Sequence, residues 1–167
     1  MALKRLLNTG QPVLDEPPSD AKSKVEILIV DDEENVLKVL SRILSEDYVV
    51  HVASSGKDAL EILQNNPVIS LIISDQRMPV MTGTEFLNRS ININPDCIRI
   101  ILTGYTDVKD LIESINAGRV FQYVTKPFEA DDLRIIIKRG VDFYFQSREL
   151  ELANKQIQQA YESLKSA

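Results

Sequence analysis

Val68-Ile69-Ser70-Leu71-Ile72-Ile73-Ser74-Asp75 is the stretch whose reading decides the fold. A short, nearly continuous apolar run that ends in a carboxylate predicts a strand buried on both faces, as in a parallel sheet covered by helices. Asp75 opens the loop Gln76-Arg77-Met78-Pro79-Val80-Met81-Thr82-Gly83. A carboxylate at the mouth of a buried strand is costly unless a metal, a partner or solvent compensates it. Asp31 and Asp32 stand in the same relation to the run Val25-Glu26-Ile27-Leu28-Ile29-Val30. The carboxyl ends of neighbouring parallel strands open onto one crevice, where open α/β folds put their sites. Three carboxylates converging there ask for a divalent cation, and that points to phosphate chemistry.

Outward from this run, strand-like segments alternate with helical patterns. The strands are expected at 25–30, 48–53, 69–74, 98–103 and 120–125, and the helices at 33–46, 56–65, 84–91 and 106–117. The fourth helix is the clearest. Val108, Leu111, Ile112 and Ile115 recur at i, i+3, i+4 and i+7, with Thr106 or Asp107 as N-cap and Gly118 as C-cap. Strict β-α alternation predicts a doubly wound parallel sheet.

Composition bounds the rest. The 167 residues suit one domain plus extensions, and 44% hydrophobic content is enough for a real core. A net charge of −6 argues against direct nucleic-acid binding. No segment reaches the ~20 apolar residues of a membrane span. The start, Met1-Ala2-Leu3-Lys4-Arg5-Leu6-Leu7, is too short in its apolar part for a secretory signal. A single cysteine, Cys97, excludes an internal disulfide, fits a cytoplasmic location and reads as a small core residue. His51, the one histidine, reads as a strand residue, so a phosphoryl group would come from another molecule.

Both ends differ from the middle. Residues 1–23 carry Gly10, Pro12, Pro17 and Pro18 without a sustained period, as in a flexible arm. After Pro127 a helix is expected from about Glu129 to the end of the chain. Phe143, Leu150, Ile157 and Leu164 recur every seven residues, while the partner positions are Gln146, Ala153, Ala160 and Ala167. That is one thin seam of a coiled coil, a stub over 142–167 that would pair two copies, or else a solvated helix that docks only its first turns. Gly140 is expected to mark a hinge or the edge of the domain.

Thr103 ends the fourth run and Lys126 follows the fifth. If the strands are parallel neighbours, both reach the crevice of Asp75, where a cation and a hydroxyl suit a phosphoryl group. The set Asp31-Asp32, Asp75, Thr103 and Lys126-Pro127, supported by Pro79, Gly83 and Tyr123-Val124-Thr125-Lys126-Pro127-Phe128, resembles the receiver domain of two-component response regulators. The resemblance implies a flavodoxin-like domain over 24–141, with strand order 2-1-3-4-5 and an extended C-terminal helix. It implies Asp75 as phosphoacceptor from a sensor histidine kinase or phosphotransfer protein. Mg²⁺ would be held by Asp32 and Asp75, by Asp31 through water and by the backbone carbonyl of Arg77. Lys126 would pair with a phosphoryl oxygen through a cis bond to Pro127, and Thr103 and Tyr123 would switch the face of the fourth helix, fifth strand and fifth helix. Arg77, Gly104 and Tyr105 would set the lifetime of the phosphate.

The chain would thus be a signalling switch, with only self-phosphorylation and self-dephosphorylation as chemistry. Leu102-Thr103-Gly104-Tyr105-Thr106-Asp107 and Ile115-Asn116-Ala117-Gly118-Arg119 look like receivers placed before larger output domains. An unphosphorylated dimerising scaffold of the same fold is the alternative, and the intact set of acids, threonine and lysine argues against it. Two other classes fit less well. An acid-box phosphatase would want Asp-x-Asp on its first strand, and a flavin carrier would want a phosphate-cradling loop there.

Overall fold

The computed structural model describes residues 24–104, 108–117 and 120–166. Strands β1 (Glu26–Val30), β2 (Val49–Ala53), β3 (Ile69–Asp75), β4 (Ile98–Thr103) and β5 (Gln122–Thr125) form one sheet in the order β2-β1-β3-β4-β5. Every pairing is parallel. Alternate side chains of each strand enter opposite cores. Leu71 and Ile73 pack with α1 (Glu34–Leu44) and α5 (Ala130–Lys165), through Leu40, Leu133 and Ile137. Ile72 packs on the other side with α2 (Gly56–Asn65), α3 (Gly83–Ser90) and α4 (Val108–Asn116), through Leu63, Phe86 and Leu111. Each such fully buried side chain contributes about 1.5–3 kcal/mol, so the central strand needs apolar residues on both faces.

The helix starts follow local chemistry. Ser55 caps α2 by accepting from the Asp58 N–H at 3.1 Å, and Thr82 caps α3 by accepting from the Glu85 N–H at 3.3 Å. The caps expected for α4 at Thr106, Asp107 and Gly118 lie outside the described residues, as does the arm 1–23. Within α4, Leu111 is buried and Ile115 packs on the core, but Ile112 is 46% exposed, so the apolar stripe is narrower than its spacing suggested. Strand β5 begins at Gln122, because its pairing with β4 starts at Ile100↔Gln122, and Val120 is buried just ahead of it.

Two polar residues settle into the fold away from the crevice. His51 meets Glu26 across the β1–β2 pair at 2.9 Å. Cys97 is buried, and burial pushes its thiol up to about 12, which leaves it unreactive.

Helix α5 runs unbroken for 36 residues, so Gly140 marks no hinge in the helix. A Cβ at Gly140 would stand 2.9 Å from Leu71 Cδ1 and 3.2 Å from Ile98 Cγ2, so the missing side chain lets the helix lie directly on β3 and β4. Packing continues past residue 141. Phe143 stacks on Phe121 with centroids 5.3 Å apart, and buried Tyr144 accepts a 2.8 Å hydrogen bond from Arg148. From Phe145 to Ser166 every side chain is exposed, including Leu150, Leu152, Ile157, Tyr161 and Leu164.

Candidate functional site

Strands β1 and β3 are neighbours, so their carboxyl ends bring Asp31, Asp32 and Asp75 together. One carboxylate oxygen from each lies within 4.8 Å of the other two. Asp31 is fully buried and Asp75 nearly so, whereas Asp32 is exposed. Lys126, just past β5, places its Nζ 3.0 Å from Asp75 Oδ1 and 3.4 Å from Asp31 Oδ2. The Lys126 main-chain N–H donates to the Thr103 carbonyl at 2.8 Å, and its bond to Pro127 is cis, as the resemblance implied. The second oxygen of Asp31 accepts from the Glu33 N–H at 2.9 Å, so the same carboxylate also orders the start of α1.

The remaining sequence candidates surround this core. Thr103 is buried at the end of β4, where its hydroxyl donates to the Gly104 carbonyl at 3.0 Å. Gly104 is exposed, and a Cβ there would meet nothing within 4 Å. Tyr123 is half-buried and packs against the core shared with α4. Arg77 is exposed in the loop after β3. Tyr105 lies outside the described residues.

Two positions carry weight that the sequence did not announce. Gln76 is buried and hydrogen-bonds both the backbone and the hydroxyl of Thr84. Arg99, inside an otherwise apolar strand, is buried with its guanidinium donating to Ser90 Oγ at 2.8 Å and the Cys97 carbonyl at 2.6 Å. It also donates to the Asn94 and Pro95 carbonyls. The polar spacing Ser90 to Arg99 is the only trace of that cage in the sequence.

Buried charge sets the crevice apart from the rest of the sheet. Burial pushes the Asp75 carboxyl above its ordinary range; Lys126 pulls it back and Asp31 pushes it up again. Lys126 is held above its ordinary range: burial opposes the charge, but its bond to Asp75 and the two carboxylates win. Like charges at such separations repel by about 3–4 kcal/mol at an effective dielectric near 20. Three carboxylates against one ammonium leave the cluster negative, and hard oxygen donors in this number suit Mg²⁺, which keeps several waters of its own.

A pH dependence follows. Asp75 protonates more readily in the folded than in the unfolded chain, so its contribution is fully present below the ordinary carboxylate pKa. It is lost as pH rises through the folded value. Asp75→Asn removes that loss and leaves Lys126 its contact with Asp31. In metal-free buffer the variant should melt progressively above wild type as pH rises from about 4 to 7. A difference that does not change with pH would show that the carboxylate is not destabilised by its surroundings.

Comparison with known proteins gives the class. Residues 27–138 match the response regulator receiver domain, and the chain belongs to that family, the phosphorylation-dependent signalling domains of two-component systems. It is 37% identical over 127 residues to the hydrogenase transcriptional regulatory protein HoxA of Bradyrhizobium diazoefficiens, covering 76% of this chain and 26% of that protein. It is 32% identical over 126 residues to the regulatory protein AtoC of Escherichia coli, covering 74% and 27%. The chain therefore spans about a quarter of the length of these curated relatives. Among solved structures, the adenylate cyclase from Rhodopirellula baltica matches with a TM-score of 0.76 and 34% identity, over 79% of this chain and 98% of that one. A receiver domain protein from Methanospirillum hungatei matches with a TM-score of 0.70 and 32% identity, over 75% and 99%. No helix among the described residues is long and apolar enough to cross a membrane.

Proposed function

We propose that this chain is a response-regulator switch that accepts a phosphoryl group on Asp75 from a phosphohistidine of a partner kinase or phosphotransfer protein. The observation that carries the reading is the Lys126 ammonium 3.0 Å from Asp75, inside a cluster of three carboxylates. A scaffold has no use for such an arrangement, which costs stability. Mg²⁺, held by Asp31, Asp32, Asp75 and the Arg77 carbonyl, would neutralise charge on the equatorial phosphoryl oxygens.

The steps belong to the chain's own groups. An Asp75 oxygen attacks phosphorus as the bond from phosphorus to the donor imidazole breaks, and the imidazole leaves as a neutral ring after taking a proton. Lys126 moves its hydrogen bond from the Asp75 carboxylate to a phosphoryl oxygen, and Thr103 turns its hydroxyl from the Gly104 carbonyl toward another. Tyr123 then packs inward behind Thr103, which remodels the face of α4, β5 and α5. Hydrolysis returns the Asp75 carboxylate and inorganic phosphate when water attacks phosphorus. The bulk of Arg77 and, by the family resemblance, of Tyr105 slows that attack, while open space at Gly104 admits the donor. Incubation with acetyl phosphate and Mg²⁺, read by intact mass, tests the reading: one added phosphoryl group is expected, and none would overturn it.

The receiver unit is taken as 24–141 and the helical extension as 142–167, with a cytoplasmic setting and an output domain or protein downstream. Leu150, Ile157 and Leu164 form the exposed stripe on which a second copy would pair, and Phe143 already leans on Phe121. Alanines at 153 and 160 leave that seam shallow, so the pairing is weak alone and tightens with the phosphoryl mimic beryllofluoride. Light scattering should give a larger mass for the full chain than for one ending at Phe145, most clearly with beryllofluoride. Equal masses at every concentration would reduce the stripe to a surface feature.

A further inference from the structure

Gln76 closes the loop that joins Asp75 to α3. It is 7% exposed, and its main chain and side chain are both engaged. Its N–H donates to the Leu102 carbonyl at 3.0 Å, and its carbonyl accepts from the Gly83 N–H at 3.0 Å. Across the loop, its side-chain Oε1 accepts from the Thr84 N–H at 3.0 Å, and its Nε2 donates to Thr84 Oγ1 at 3.2 Å. That same hydroxyl lies 3.2 Å from Oγ1 of Thr82, the cap of α3. One amide side chain therefore takes an N–H of the first helical turn that the helix itself leaves unpaired, and ties it to the residue after Asp75.

The loop held in this way is not relaxed. Val80 has φ 70° and is fully exposed, a left-handed backbone that a β-branched residue adopts only when its surroundings impose it. The amide clamp adds a side-chain tie across residues 77–82 to their main-chain bonds, the Thr82 cap and the packing of Met78 and Met81 on the core. Two of the positions proposed to hold Mg²⁺, Asp75 and Arg77, lie immediately before and after Gln76.

We infer that Gln76 is a positioning residue for the metal: its buried carboxamide fixes the chain between Asp75 and α3 and so sets the affinity of the site for Mg²⁺. The inference rests on the metal-assisted reading given above. It differs from a general role in folding, because a looser loop weakens cation binding even where the sheet and its cores are intact. Groups that orient metal ligands from behind typically change affinity by about 10–100-fold when removed.

The test is a Mg²⁺ titration of the ¹⁵N-labelled full chain followed by amide NMR shifts, with metal-free melting measured alongside. Gln76→Met keeps the size of the side chain and removes both of its bonds; its dissociation constant for Mg²⁺ should rise roughly tenfold. Thr84→Val leaves Gln76 in place and removes one of its two side-chain bonds, together with the contact between the Thr84 and Thr82 hydroxyls, so a rise of roughly threefold is expected. A Gln76→Met chain that titrates like wild type overturns the inference and leaves the metal site standing. If Gln76→Met does not fold, Thr84→Val decides, and a wild-type constant there overturns it equally. A wild type that shows no Mg²⁺ response overturns the metal-assisted reading itself, and the inference with it.

Discussion

Asp75→Ala should abolish phosphoryl uptake from acetyl phosphate, while the wild type gains the mass of one phosphoryl group. The size of the effect comes from the lack of a substitute. Asp31 is fully buried, with one oxygen accepting from the Glu33 N–H and the other facing Lys126. Asp32 is exposed, and of the two residues only Asp31 meets the lysine. Neither therefore offers a free oxygen beside the ammonium proposed to stabilise the transferring group. Removing a positioned nucleophile from an otherwise intact site costs on the order of 10³-fold or more in rate. Intact-mass measurement over equal incubation times reads this directly, and comparable labelling of wild type and variant would remove Asp75 from its role.

Among the described glycines, Gly83→Ala should be the most damaging, costing about 3 kcal/mol or more. A Cβ at Gly83 would be driven into the backbone carbonyl of Asp75 and come within 3.1 Å of Gln76 Cα. Main chain at the end of a buried strand has nowhere to retreat. The cost therefore belongs at or beyond the upper end of the usual overpacking penalty of roughly 1–3 kcal/mol. Gly104→Ala is the matched control at the neighbouring strand end, where an added Cβ meets nothing within 4 Å. Urea melts of the pair should separate clearly, with Gly104→Ala near wild type. Equal midpoints would mean that α3 does not begin against the site at all.

The parts of this molecule that were legible in its sequence share a physical reason. Strands buried on both faces must be mostly apolar, so β1, β3 and β4 announce themselves, and the carboxylates just past β1 and at the end of β3 are too costly to be incidental. Asp31, Asp32, Asp75 and Lys126 were readable because charge at a strand mouth is rare. Arg99 was not, because its partners include three backbone carbonyls, and a carbonyl has no letter in the sequence. The close approach at Gly140 was hidden for a related reason. A glycine within a helix signals either weakness or close approach, and only the position of Leu71 and Ile98 on the facing strands decides between them. Gln76 escaped because a polar residue in a loop is expected at the surface, and here its amide is turned inward onto Thr84.

The unbroken course of α5 gives the tail a fixed angular phase relative to the sheet. Gly140 seats the helix on Leu71 and Ile98, and Phe143 and Tyr144 hold the next turn, so the root cannot roll freely about its axis. Each residue beyond it turns the side-chain direction by about 100°, so the compass bearing of Leu150, Ile157 and Leu164 is counted out from that seat. The length between root and stripe thus works as a clocking device. Loss of a single residue there would swing the stripe by more than a quarter turn, whereas loss of seven would return it to within about 20° of its original bearing. Whatever reads the tail reads an angle, and that angle is set on the sheet, beside the strands that carry Asp75 and Thr103.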